Sequence, residues 1–205
     1  MFFLLLAGIL SSFKKDEPRV LLFIEDNSMD LPYMLTHEAL RMSEILKQSG
    51  LRVVVATLSG KPIKTDSITV KPDIMLSNVD INEYSGFILP CMAAGDTIVT
   101  DEEISFVRKV VNEGKPIAAQ TAAVLILAKA GVLNGKKYAF PRNNSLSPDI
   151  FPAFNSGIYS GIRIVQDGNI ITSGSCPMES RMTGGQDGTD ELTRKLIQEI
   201  KARSK

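Results

Sequence analysis

The chain has 205 residues, 44% of them hydrophobic and 22% charged, with 23 Lys and Arg balanced by 23 Asp and Glu. That length and mix suit one globular domain with a well-buried core, while zero net charge and no basic run argue against a nucleic-acid partner. Two cysteines, Cys91 and Cys176, and one histidine, His37, are too few for a disulfide scaffold, a structural zinc site or a His-rich metal centre; no cofactor and no metal are expected.

The first ten residues, Met1 to Leu10, are almost wholly apolar and are followed by a polar stretch ending at Pro18. The run is too short to span a bilayer but has the length of a signal-peptide core. No Lys or Arg precedes it. Residues 1–18 are therefore read as an apolar leader, with export or envelope association favoured over a cytoplasmic location. Membrane association is expected through residues 1–13 only, and residues 19–205 form a single domain.

Arg19 to Ile24, apolar without a break from Val20, follows Pro18 and reads as a parallel strand buried on both faces. From Tyr33 to Ser49 apolar residues recur at spacings of three and four, and Gly50 is a suitable stop. Leu51 to Ala56 is a second buried strand, completing a βαβ unit with a right-handed crossover. Residues 61–80 are less regular. Gly86 to Leu89 is a third core strand ending at Pro90-Cys91. Thr100 and Glu103 form a capping box for a helix reaching about Asn112.

Pro116 to Leu133 carries the most information. A short buried strand, Pro116 to Ala119, runs through the turn Gln120-Thr121-Ala122 into a helix ended by Gly131. A strand running straight into a helix is how α/β enzymes hold a nucleophile at a sheet edge, yet this turn offers no Cys, Ser or His. Residues 141–157, rich in Pro, Asn and Ser, read as a long surface loop. Asp167-Gly168 signals a hairpin, and Gly188-Thr189-Asp190 opens a last amphipathic helix. Strands alternating with helices predict a doubly wound α/β fold, flavodoxin-like, with a mainly parallel sheet and helices on both faces.

The ordered set of segments resembles the ThiJ/PfpI family, within the class I glutamine-amidotransferase-like group. The matching pieces are Val20 to Ile24, Gly50 to Ala56, Tyr84 to Pro90, Gly114 to Leu133, Asn134 to Ala139 and Asp167 to Ser173, spanning about residues 19–202. The resemblance implies glyoxalase-like, deglycase-like, amide-hydrolase or redox-linked chaperone activity, and a homodimer. Active members use an elbow Cys, often followed by His, with a Glu from the first helix over the thiol. Here the elbow Cys position falls on Thr121, the His position on Ala122 and the Glu on Glu38. The oxyanion-site glycine falls on Cys91, and a later Gly-Pro falls near Cys176-Pro177.

A threonine hydroxyl is a poor nucleophile without a base, and Ala122 supplies none; Thr121 is read as a helix cap. Free thiols are commonly inert small hydrophobes, but Cys91 stands where doubly wound sheets place their ligand crevice. The pair could also form one disulfide, or Cys91 could be a displaced nucleophile with Glu38 nearby. His37 is read as a surface residue, and the acidic Glu25-Asp26 and Asp30 as a solvated loop. The expected function is thus a non-catalytic small-ligand-binding or stress-related module, with ligand contacts from Thr121, Gln120, Ala122 and Cys176. One alternative is a thiol-dependent hydrolase or lyase on small carbonyl or amide substrates, using Cys91 and Glu38. A second is a redox-responsive protein bridged through Cys91 and Cys176.

Overall fold

Val20 and Leu22 pack on one face of a central sheet and Leu21 and Phe23 on the other, and all four are buried. This two-residue alternation inside an all-apolar run is the signature of a strand covered on both sides. A computed structural model describes residues 17–204. The leader expected over residues 1–18 lies outside the described residues, apart from Glu17 and Pro18. Among the described residues, no helix is long and apolar enough to cross a membrane.

The sheet strands are β1 (Arg19–Phe23), β2 (Arg52–Thr57), β3 (Ile74–Met75), β4 (Gly86–Leu89), β5 (Ile117–Gln120), β6 (Val165–Asp167) and β7 (Ile170–Ser173). Their order is β6-β7-β5-β4-β1-β2-β3. All neighbours are parallel except β6 and β7, which form the hairpin expected around Asp167-Gly168. The irregular stretch after β2 holds a two-stranded ribbon, Ile63–Lys64 with Thr69–Val70, before the edge strand β3.

Helix α1 runs through residues 31–48, and helix α5 is Thr189–Arg203. Together they cover one face with Met42, Leu46, Leu196 and Ile200. Helices α2 (Asp101–Asn112) and α3 (Val124–Lys129) cover the other with Phe106, Val110 and the run from Val124 to Ala128. This is the doubly wound, mainly parallel α/β architecture of flavodoxin-like folds. The capping box at Thr100 and Glu103 forms as expected.

Three features depart from the sequence reading. The middle of α1, Leu35–Leu40, is π-helical, a widening that apolar spacing does not register. A seven-residue helix, α4 (Pro177–Thr183), follows β7. The stretch 141–157 is not a simple surface loop, because two 3₁₀ turns fold it inward. Phe154 is buried there, its ring 4.5 Å from that of Phe140 and 4.9 Å from that of Tyr138. Burying a phenyl ring outweighs the local Pro and Ser preference for solvent.

Candidate functional site

Strands β4, β5 and β7 are neighbours and run parallel, so their carboxyl ends open onto one patch of the sheet rim. Cys91 follows β4 after Pro90, Thr121 follows β5 directly, and Cys176 follows β7 after Gly174 and Ser175. Residues 30, 55 and 85 positions apart in sequence thereby meet at the floor of one pocket of about 220 Å³. Open α/β sheets place ligand sites at this rim.

Thr121 occupies the left-handed region at φ 51°. A β-branched residue there is a genuine outlier, costing about 1–2 kcal/mol. The backbone therefore keeps the sharp strand-to-helix elbow although the side chain has changed. The Thr121 hydroxyl is buried and makes no hydrogen bond of sound geometry. It does not cap α3, which corrects the capping reading: the left-handed backbone turns the side chain toward the pocket floor. It lies beside the Cys176 thiol, whose anion it would favour.

Glu38 projects from the π-helical segment of α1 and is fully buried. π segments recur at functional sites because they shift one side chain off the α-helical register. The Cys91 N–H donates to Glu38 Oε1 at 2.7 Å and the Met92 N–H to Oε2 at 3.3 Å. Glu38 thus grips the backbone of Cys91, while its carboxylate and the two cysteine sulfurs lie within 4.8 Å of one another. Burial, reinforced by negative charge on Cys176, pushes the Glu38 carboxyl well up, against the pull of the two N–H groups.

The two thiols are unlike. The neighbouring Cys176 sulfur, together with desolvation, raises the Cys91 thiol well above its usual range. Cys176 is lowered first by its contact with Cys91, then by the Thr121 hydroxyl and the Glu179 and Met178 N–H groups nearby, against desolvation. Cys176 is the sulfur on which donors converge. Sequence reasoning favoured Cys91 because the N–H donors of α4 were invisible in an unrecognised helix. Both thiols are free.

Of the remaining expected site residues, Ala122 lines the pocket and Gln120 does not. Gln120 is fully buried and its Nε2 donates to the Ser175 carbonyl and the Thr189 hydroxyl. Gln120 is therefore corrected from ligand contact to a tie between β5, the β7 loop and α5, since alternation along β5 turns it opposite to Thr121. His37 is exposed, stacked on Tyr33 with ring centroids 4.2 Å apart. Asp30 pairs with Arg181 at 2.8 Å, and Glu25 accepts from the Leu58 N–H. Sequence reasoning missed Asn143 and Glu179, whose side chains join at 2.9 Å and pin the 141–157 stretch over the pocket. Among the lining residues Asp96 and Glu179 are acidic and none is basic.

Residues 18–183 match the sequence profile described as the DJ-1/PfpI family. The chain belongs to the DJ-1/PfpI family. The Deglycase PH1704 of Pyrococcus horikoshii is 31% identical over 136 residues, covering 62% of this chain and 76% of that protein. Among solved structures, a ThiJ/PfpI domain protein from Brachyspira murdochii superposes with a TM-score of 0.70 at 13% identity, over 90% of this chain and 96% of the other. DJ-1beta of Drosophila melanogaster gives 0.61 at 23% identity, over 92% and 97%. Within this DJ-1/PfpI domain, the elbow is occupied by Thr121 and flanked on both sides by thiols.

Proposed function

We infer that this DJ-1/PfpI domain is a redox-responsive dithiol protein acting on small oxidants at the sheet rim. One observation carries the reading: the Cys91 and Cys176 sulfurs lie within 4.8 Å of each other at the floor of a pocket. Cys176 is the attacking sulfur, because its thiol is lowered while that of Cys91 is raised, and it stands at the start of α4. With a hydroperoxide, the Cys176 sulfur bonds to the terminal oxygen as the O–O bond breaks, and the other oxygen leaves as an alcohol or water with one proton. The Cys91 sulfur then displaces water from the Cys176 sulfenic acid, forming the disulfide. Two thiols give up two electrons and two protons; the peroxide becomes one alcohol and one water. An external thiol reductant restores the pair by exchange.

The test treats reduced protein with equimolar hydroperoxide and maps its peptides by mass spectrometry. The expected product is a Cys91–Cys176 crosslink, and Cys91→Ser should instead accumulate Cys176 sulfenic acid. Consumption of peroxide without a crosslink, or oxidation confined to Cys91, overturns the reading.

The relatives' names favour a second reading, deglycase-like addition of the Cys176 thiol to a small carbonyl compound. It requires methylglyoxal consumption that Cys176→Ser abolishes and Thr121→Ala leaves intact. Turnover that survives Cys176→Ser removes it.

A further inference from the structure

Sulfur is concentrated at this site beyond what a thiol pair requires. Of eight methionines and two cysteines in the chain, four methionines and both cysteines line the one pocket: Met29, Met34, Met178, Met182, Cys91 and Cys176. Met34 is buried near the floor, 1% exposed, whereas Met29 and Met182 are 71% and 65% exposed. Large apolar side chains that open to solvent around a pocket mark a binding mouth more often than a core. The Met178 sulfur already accepts from Arg181, which leaves Met34 as the buried thioether available to the floor.

Most of the carboxylate oxygens are already used, Asp96 Oδ1 among them. Both Glu38 oxygens accept backbone N–H groups, and the Glu179 carboxylate accepts from Asn143. His37 is outside the pocket. A hard divalent cation would therefore find few free oxygens and no imidazole. Thiolate and thioether sulfur select soft ions instead. The Thr121 hydroxyl adds an independent sign. It is 1% exposed, lacks a sound hydrogen bond and lines the same floor. A thiolate held by a cation still accepts hydrogen bonds, so a metal-bound Cys176 would satisfy this orphaned donor.

We propose that the pocket floor binds one soft monovalent cation of the Cu(I) or Ag(I) class through the Cys91 and Cys176 sulfurs, with Met34 as an auxiliary ligand. Met29 and Met182 form its entry path. Binding displaces the thiol protons, and no electron changes hands. This site goes beyond the redox reading, since it needs the sulfurs as ligands and not as reductants.

The test uses the full chain, metal-free and reduced, in anaerobic competition against a chromophoric Cu(I) chelator. One Cu(I) per chain is expected. Cys91→Ser and Cys176→Ser should each weaken binding by more than about 100-fold, and Thr121→Val by about 10-fold, the range seen when outer-shell partners of a metal are removed. Met34→Leu should weaken Cu(I) binding, and peroxide-driven crosslinking is measured separately on the metal-free unmodified protein: crosslinking without Cu(I) binding overturns this proposal alone, and Cu(I) binding without crosslinking overturns the redox reading alone. Because a cysteine variant could misfold, the unmodified protein is also tested by alkylation. Stoichiometric Ag(I) should protect both thiols from iodoacetamide. Cu(I) binding that is unaffected by either cysteine substitution, alkylation unchanged by Ag(I), or preferential retention of Zn(II) over Cu(I) overturns the proposal.

Discussion

Replacing Thr121 by glycine should make this protein more stable, although it deletes a buried side chain. Thr121 holds φ at 51°, and a left-handed conformation costs a non-glycine residue about 1–2 kcal/mol. Its hydroxyl is buried without a sound partner, worth about 1–3 kcal/mol of unmet desolvation. Against this, glycine adds unfolded-chain freedom of about 0.5–1 kcal/mol, and the lost Cβ and methyl remove about 1.6 kcal/mol of apolar burial. The vacated space opens onto the existing pocket, so no closed cavity is left. The balance is a net stabilisation of about 1 kcal/mol, which for a domain of this size raises Tm by about 2–4 °C. Thr121→Ala should fall between wild type and Thr121→Gly, because it relieves the hydroxyl and keeps the backbone strain. Urea unfolding of the three proteins, with slopes compared, measures all of this. A Thr121→Gly protein less stable than wild type by 1 kcal/mol or more would refute the strained-elbow argument. So would alanine exceeding glycine.

Other perturbations test other parts of the fold. Glu38→Gln keeps the shape but leaves one acceptor oxygen for two N–H groups, so urea unfolding should show a loss of about 1–3 kcal/mol. Gly174→Ala would place a Cβ 2.6 Å from the Phe140 carbonyl carbon and 2.9 Å from the Ile162 Cα; both are backbone atoms, and thermal melting should show a loss of about 3 kcal/mol. The Glu25 carboxyl is pushed up to about 7, chiefly by burial and also by Glu103, Asp26 and Glu102, against the Leu58 N–H. Its folded value lies above its unfolded one. The folded state therefore keeps a proton that the unfolded chain releases, and stability falls as pH rises from about 4.5 to about 7. Glu25→Gln should flatten that part of the pH–stability curve, and an unchanged slope would show that Glu25 does not cause it.

The sequence alone determined the layered architecture, because each strand and helix has a periodicity set by its own backbone geometry. Val20 to Phe23 and Gly86 to Leu89 are apolar without interruption, which suits only strands covered on both faces. Thr100 with Glu103, and Asp167 with Gly168, mark local boundaries by local hydrogen bonding and turn chemistry. The elbow was also legible, as a buried strand running into a helix, while Glu38 was pointed to only by the family resemblance.

Only tertiary structure decided the chemistry of the site. The meeting of Cys91 with Cys176 depends on β4, β5 and β7 lying side by side, a strand order that no local pattern encodes. The contrast between the two thiols comes first from their own contact and then from Thr121 and α4, a helix too short to show an apolar period. The sulfur lining has the same origin: Met29, Met34, Met178 and Met182 are scattered in sequence and become neighbours because α1 and α4 flank the same rim. Local sequence restricts backbone torsions within a few residues, whereas a site is made by side chains that only the packed sheet brings together.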